Sequence, residues 1–109
     1  MLEYKTNNFF DFLPHEVPEE IFECLIESKS IKIEKIISKG QITADNAYYN
    51  QDQNEWIILL QGEAIISFKD PFKEISMNVG DYLLIPAHQL HRVEWTPTDK
   101  ITLWLAIHF

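Results

Sequence analysis

The sequence predicts an all-β barrel or sandwich led by one short N-terminal α-helix. Three observations carry that expectation. From Ser30 onward, apolar residues either alternate with polar ones or run continuously, the pattern of half-buried and fully buried strands. Turn-forming residues interrupt this pattern at short intervals, at Gly40, Gly62, Asp70-Pro71, Gly80-Asp81, Pro86 and Pro97, as expected of a fold made from many short strands. Hydrophobic content of 46% with 13% aromatic marks a chain that can bury a core and fold.

A chain of 109 residues suffices for one modest core and not two, so a single domain is expected, with residues 1–29 as an N-terminal segment and 30–109 as the barrel. The segment around Phe9, Phe10, Phe12 and Leu13 needs an apolar surface to pack on, either a barrel flank or a dimer partner. Pro18 followed by Glu19 and Glu20 then suits the first turn of a helix. Ile21, Phe22, Leu25 and Ile26 continue with helical spacing over about ten residues. Strands are expected near 31–38, 41–44, 54–60, 63–68, 73–78, 82–86, 90–95 and 101–108. The lysines from Lys29 to Lys39, interleaved with Ile, read as the solvent face of the first of these. The polar run Tyr48–Gln53 is a solvated loop or the rim of a site. The last strand reads as covered on both faces, so C-terminal truncation is expected to be damaging.

Charge and composition exclude several classes. A formal charge of −8 repels phosphate backbones, and the acidic residues before the first strand leave no room for a DNA-reading helix pair, so nucleic acid is not an expected partner. No apolar run reaches the length of a membrane span and no leader pattern opens the sequence, so neither membrane attachment nor export is expected. The single cysteine, Cys24, rules out an intramolecular disulfide and a thiol-bound zinc cluster. It reads as an inert, buried or half-buried thiol in a cytoplasmic protein.

Two segments carry the chemistry. Glu55-Trp-Ile-Ile-Leu-Leu-Gln-Gly62 is followed by Gly80-Asp-Tyr-Leu-Leu-Ile-Pro86-Ala-His88-Gln-Leu-His91-Arg-Val-Glu-Trp95. In this order and spacing they resemble the two halves of the cupin signature, in the variant found in small single-domain bacterial cupins of poorly defined activity. Glu55 and Gly62 match the first half, and Gly80, Pro86 and His91 the second. The histidine pair of the first half is absent, with Tyr49 and Gln51, or Tyr48 and Asn50, in its place. His88 replaces a glycine and Trp95 an asparagine.

The resemblance implies a conserved cupin barrel, a double-stranded β-helix or jelly roll, in a homodimer. It further implies a divalent metal (Fe, Mn, Ni or Zn) in the barrel, held by Gln51, Glu55 and His91, with a small organic ligand above it. An amide in place of imidazole shifts preference toward harder ions. Strand alternation puts Val93 and Trp95 on the face of His91, so Tyr49, His88, Val93, Trp95 and Trp104 are the candidate ligand contacts, with Tyr48 as a further aromatic. Glu55 and His88 are the candidate proton-transfer groups. Against each stands a plainer reading: a Glu55–His91 pair that satisfies itself, a turn histidine at position 88, and aromatics that are simply core. His108 reads as structural and His15 as solvated. Two functions fit: a metal-dependent oxygenase, isomerase or lyase acting on a small metabolite, or a non-catalytic metabolite sensor with a metal-free barrel.

Overall fold

The computed structural model describes residues 3–44 and 47–109. Met1 and Leu2 of the N-terminal stretch, and Asp45 and Asn46 of the polar loop, lie outside them. Eight strands follow in order: β1 Ile21–Glu27, β2 Lys32–Ser38, β3 Glu55–Gln61, β4 Glu63–Phe68, β5 Lys73–Asn78, β6 Tyr82–Ile85, β7 His91–Trp95 and β8 Thr102–His108. They form two antiparallel sheets, one of five strands in the order β1-β2-β8-β3-β6 and one of three in the order β5-β4-β7. This is a jelly-roll architecture. The alternation of β3, β4 and β8 sends Ile57, Leu59, Ala64, Ile66, Trp104 and Ala106 into one core between the sheets. None of the helices of the described residues is long and apolar enough to cross a membrane, since those residues form none.

The expected N-terminal helix is a strand. β1 pairs antiparallel with β2 from Ile21↔Ile37 to Glu27↔Lys32, with a bulge between Cys24 and Ile26. With the bulge, Ile21, Glu23 and Ile26 share one face and Phe22, Cys24 and Glu27 the other, so the apolar set spaced i, i+1, i+4, i+5 is divided between two faces of a strand and is not one helical stripe. Ile and Phe favour extended backbone, β2 offers a free edge, and Glu23↔Lys35 and Glu27↔Lys32 set opposite charges across the pair. All seven residues of β1 are exposed, Cys24 among them, so that thiol is not buried as expected.

Residues 41–44, also expected as a strand, form no regular element. The chain there runs along β7, with Thr43 N–H donating to the Val93 carbonyl at 3.1 Å and Val93 N–H donating to Thr43 Oγ1 at 3.0 Å. The buried Arg92 pins the same stretch, its Nη2 donating to the Thr43 carbonyl at 2.9 Å. These bonds fix the loop that delivers Tyr49 to the cavity.

Phe9 and Leu13 of the apolar lead segment pack on the barrel flank, while Phe10 and Phe12 stay exposed. Phe9 and Leu13 join Val17, Ile37, Leu103 and Ile101 in a second cluster on the outer face of the larger sheet. Phe9 also covers Lys35, whose Nζ lies 5.1 Å from the ring centroid. Lys35 is therefore only 5% exposed, not on a solvent face, with the aromatic ring compensating part of the ammonium's lost hydration.

Candidate metal and ligand site in the barrel

The register of the larger sheet concentrates polar side chains at one end of an apolar barrel. Across β8, His108 stands opposite Lys32 on one side and Glu55 on the other, while Glu34 pairs with Ala106 one step in. From the smaller sheet, β7 contributes His91, and an isolated antiparallel bridge sets Tyr49 beside it. Together these enclose a cavity of about 80 Å³, room for a few waters or a small organic molecule. Ile57, Ile66, Ile85, Val93 and Trp104 form its apolar lining. Glu20, Glu34, Gln51 and Glu55 face it as well.

Inside, carboxylates and imidazoles alternate. Glu34 Oε1 accepts from His108 Nε2 at 2.9 Å, His108 Nε2 lies 3.7 Å from Glu55 Oε2, and Glu55 Oε1 lies 3.4 Å from His91 Nε2. Glu55 is 7% exposed and His91 5%. Each oxygen of Glu55 thus lies beside an imidazole nitrogen, as a buried carboxylate, costly unless paired or bonded, requires.

The tautomer of His91 is fixed by its own neighbour. Nδ1 lies 2.9 Å from the Gln89 carbonyl, which only accepts, so Nδ1 carries the hydrogen. In the neutral ring, the Nε2 lone pair then faces the Glu55 carboxylate. Two acceptors face each other in a buried setting, an arrangement that a cation between them stabilises. Two ligands each about 2.1 Å from a tetrahedral ion sit about 3.4 Å apart, which matches the observed spacing. Among the described residues, no three His, Cys, Asp or Glu side chains are arranged to share an ion. Gln51, the third ligand expected from the sequence, lines the same cavity, as does Tyr49. On donor chemistry the His91–Glu55 pair fits a divalent cation.

A family model for the cupin domain matches residues 35–108. The chain belongs to the cupin superfamily. Among solved structures, this cupin is similar to the "putative mannose-6-phosphate isomerase" of Ralstonia eutropha JMP134, at 41% identity and a TM-score of 0.91 over 96% of this chain and 97% of that one. A cupin superfamily protein of Desulfitobacterium hafniense DCB-2 aligns at 21% identity and a TM-score of 0.73, over 89% and 83% of the two chains. Fe(II)-HppE with the alternative substrate (S)-1-HPP aligns at 18% identity and 0.70, over 89% of this chain and 53% of that one. No curated protein matches the sequence.

The structure sorts the residues singled out in the sequence. Tyr49, Gln51, Glu55, His91, Val93 and Trp104 all line the cavity. Of the two loop registers, Tyr49/Gln51 faces inward, while Tyr48 stacks outside against Lys69 and Arg92 and Asn50 turns to His88. Trp95 lies outside the cavity and is 41% exposed. Ile66 pairs with Val93 but Ile65 with Trp95, so Glu94 is an extra residue in β7 and the face reverses after Val93. His88 is also outside. It occupies a left-handed turn at φ 65°, its N–H donating to the Gln51 carbonyl at 2.8 Å and its Nδ1 lying 2.9 Å from Asn50 Oδ1. It cannot reach a substrate in the barrel, so the proton-transfer role considered for it has no geometric basis.

Three polar cavity residues escaped the sequence reading: Glu20, Glu34 and His108. The signal for Glu34 was present, since alternation puts it on the face of Ile36 and Ser38. Ser38 Oγ donates to Glu20 Oε2 at 2.6 Å. Burial pushes the Glu20 carboxyl above its ordinary value, and the serine bond opposes this. Burial likewise raises the Tyr49 phenol, helped by the negative charges of Glu20 and Glu55 and opposed by Thr43.

Proposed function

We propose that this cupin is a metal-dependent enzyme acting on a small organic molecule in its barrel, with Glu55, His91 and Gln51 as the ligands of a divalent cation. The observation that carries the reading is the buried pair of acceptors, His91 Nε2 and Glu55 Oε1, held 3.4 Å apart. The cation, when bound, supplies a positive charge that polarises an oxygen substituent of the substrate. The chain's own groups do the rest. Ile57, Ile66, Ile85 and Trp104 exclude water and hold the apolar body. His108, held by Glu34 through its Nε2–H, stands beside Glu55 and orders the polar end of the cavity.

Isomerase or lyase chemistry is favoured over oxygenation, because the histidine pair of the family signature is absent. The 41% identity to a protein named for an isomerase supports this, and HppE, whose name carries Fe(II), supports a metal. The test is aldose–ketose and lyase turnover with added manganese, iron, nickel or zinc. Activity that follows the metal and disappears in His108→Ala supports the assignment, and metal-independent turnover contradicts it.

A second reading, a metal-free metabolite sensor, is favoured by one observation: no three strong ligands share an ion. Ligand-induced thermal stabilisation without turnover would select it.

The same proposal includes a cytoplasmic homodimer. An exposed lone thiol suits a reducing compartment. β1 is an edge strand with Phe22 and Ile26 more than half exposed, at 53% and 58%. A second copy of this chain laid along that bare edge is the partner that would cover it.

A further inference from the structure

We propose that Arg92 is a positioning residue that sets the register of the segment 47–51, so that Tyr49 and Gln51 face the cavity in place of Tyr48 and Asn50. The inference deepens the proposed function and rests on it only for its consequence in metal binding. Backbone bonds hold this segment without choosing between the two registers. Tyr49 N–H donates to the His91 carbonyl at 2.7 Å, His91 N–H to the Tyr49 carbonyl at 3.3 Å, and His88 N–H to the Gln51 carbonyl at 2.8 Å. Every residue but proline offers the same N–H and C=O, and an extended chain that slips by one residue reverses which side chains face inward. Selection then falls to a side chain that is satisfied in one register only.

Tyr48 is that side chain, and Arg92 holds it. The guanidinium carbon lies 5.8 Å from the Tyr48 ring centroid, while Nη2 donates to the Thr43 carbonyl at 2.9 Å. One rigid group thus grips the chain at Thr43 and again at Tyr48. The Lys69 ammonium adds a second cation 5.3 Å from the same ring. A slip of one residue takes the ring away from both.

The setting of Arg92 gives an independent sign of this task. Its neighbours His91 and Val93 line the cavity, so Arg92 points to the opposite face of β7, where it is 7% exposed. Its Nε lies 3.1 Å from Glu94 Oε1, yet it is the one buried side-chain nitrogen or oxygen without a hydrogen-bond partner among the described residues. Glu94 Oε1 accepts instead from Ser67 Oγ at 2.7 Å. A buried donor left unpaired is costly. The guanidinium is turned toward Thr43 and Tyr48 at the expense of that bond. Lysine would keep the charge beside Glu94, but a single ammonium has neither a planar face for the ring nor a fork that reaches Thr43 at the same time.

The test reads the register directly. In the full chain carrying Cys24→Ser, a single cysteine replaces either Asn50 or Gln51, and its alkylation by iodoacetamide is followed by mass spectrometry. With Arg92 in place, the cysteine at 51 should react about tenfold more slowly than the one at 50. Arg92→Lys should bring the two rates together, and so should Tyr48→Ala, whereas Tyr48→Phe, which keeps the ring, should preserve the difference. Thermal melting checks that each variant is folded. Without the added cysteines, Arg92→Lys should weaken manganese binding, measured calorimetrically, about tenfold. Equal rates with Arg92 present, a rate ratio that survives Arg92→Lys, or one that survives Tyr48→Ala would overturn the inference. A ratio that collapses in both variants of a chain that binds no manganese supports the register role and removes the metal assignment. A collapsed ratio with unchanged manganese affinity supports the register role and removes only Gln51 from the ligands.

Discussion

Glu20 shows how a single carboxyl ties this site to stability. Burial raises its folded-state pKa above 4.5, more than the Ser38 bond lowers it. A raised acid binds its proton more readily folded than unfolded, so ionised Glu20 disfavours the fold above the folded pKa, and the penalty disappears below the unfolded value. Glu20→Gln keeps an oxygen for Ser38 and removes the charge. The variant should melt about 2 °C above wild type near neutral pH, with the gain shrinking as pH falls toward 4.5. An unchanged or lower melting temperature at neutral pH would show that Glu20 is solvated and not part of the cavity. At this scale, Glu55 and His91 were legible because each sits in a sequence signature. The pairing of Glu34 with His108 was not: alternation gives the face of Glu34, but the two lie 74 residues apart, and only the β2–β8 register joins them.

At the scale of elements, the turns discriminate sharply between two glycines that look alike in sequence. Gly62 and Gly80 both have positive φ, at 87° and 92°. A Cβ on Gly62 would meet Thr102 Oγ1 at 2.5 Å and the Ile101 carbonyl oxygen at 2.8 Å, whereas one on Gly80 meets nothing within 4 Å. Gly80→Ala should therefore cost only the left-handed backbone strain, about 1 kcal/mol. Gly62→Ala adds a clash between β3–β4 and the start of β8, for about 2–4 kcal/mol in all. Urea midpoints separate the two, and equal losses would contradict the packing at Gly62. Seven of the eight expected β segments from residue 31 onward correspond to strands, because alternation and turn residues are local signals. Residues 41–44 were misread because their polar bonds run to β7 without a ladder. An extra residue broke the period in two other places: β1, read as a helix, spans a bulge, and a bulge in β7 turned Trp95 out of the cavity. No local residue preference marks either one.

For the whole molecule, the two-sheet jelly roll and the family were readable from the paired segments, while the partner was not. β1 leaves an apolar edge bare on a chain whose Phe9 and Leu13 are already packed on the flank. The account predicts a dimer in light scattering at micromolar concentration, and a folded monomer for Ile26→Lys. A monomeric wild type would contradict it.

The barrel's chemistry rests on the cation between His91 and Glu55, and elemental analysis of the purified protein tests it most directly. Wild type, Glu55→Gln and His91→Ala are incubated with iron, manganese, nickel and zinc, desalted and measured by plasma mass spectrometry. The account predicts near-stoichiometric metal in wild type and about tenfold less or lower in each variant, while circular dichroism shows all three folded. A folded wild type that stays empty of all four metals would contradict the claim.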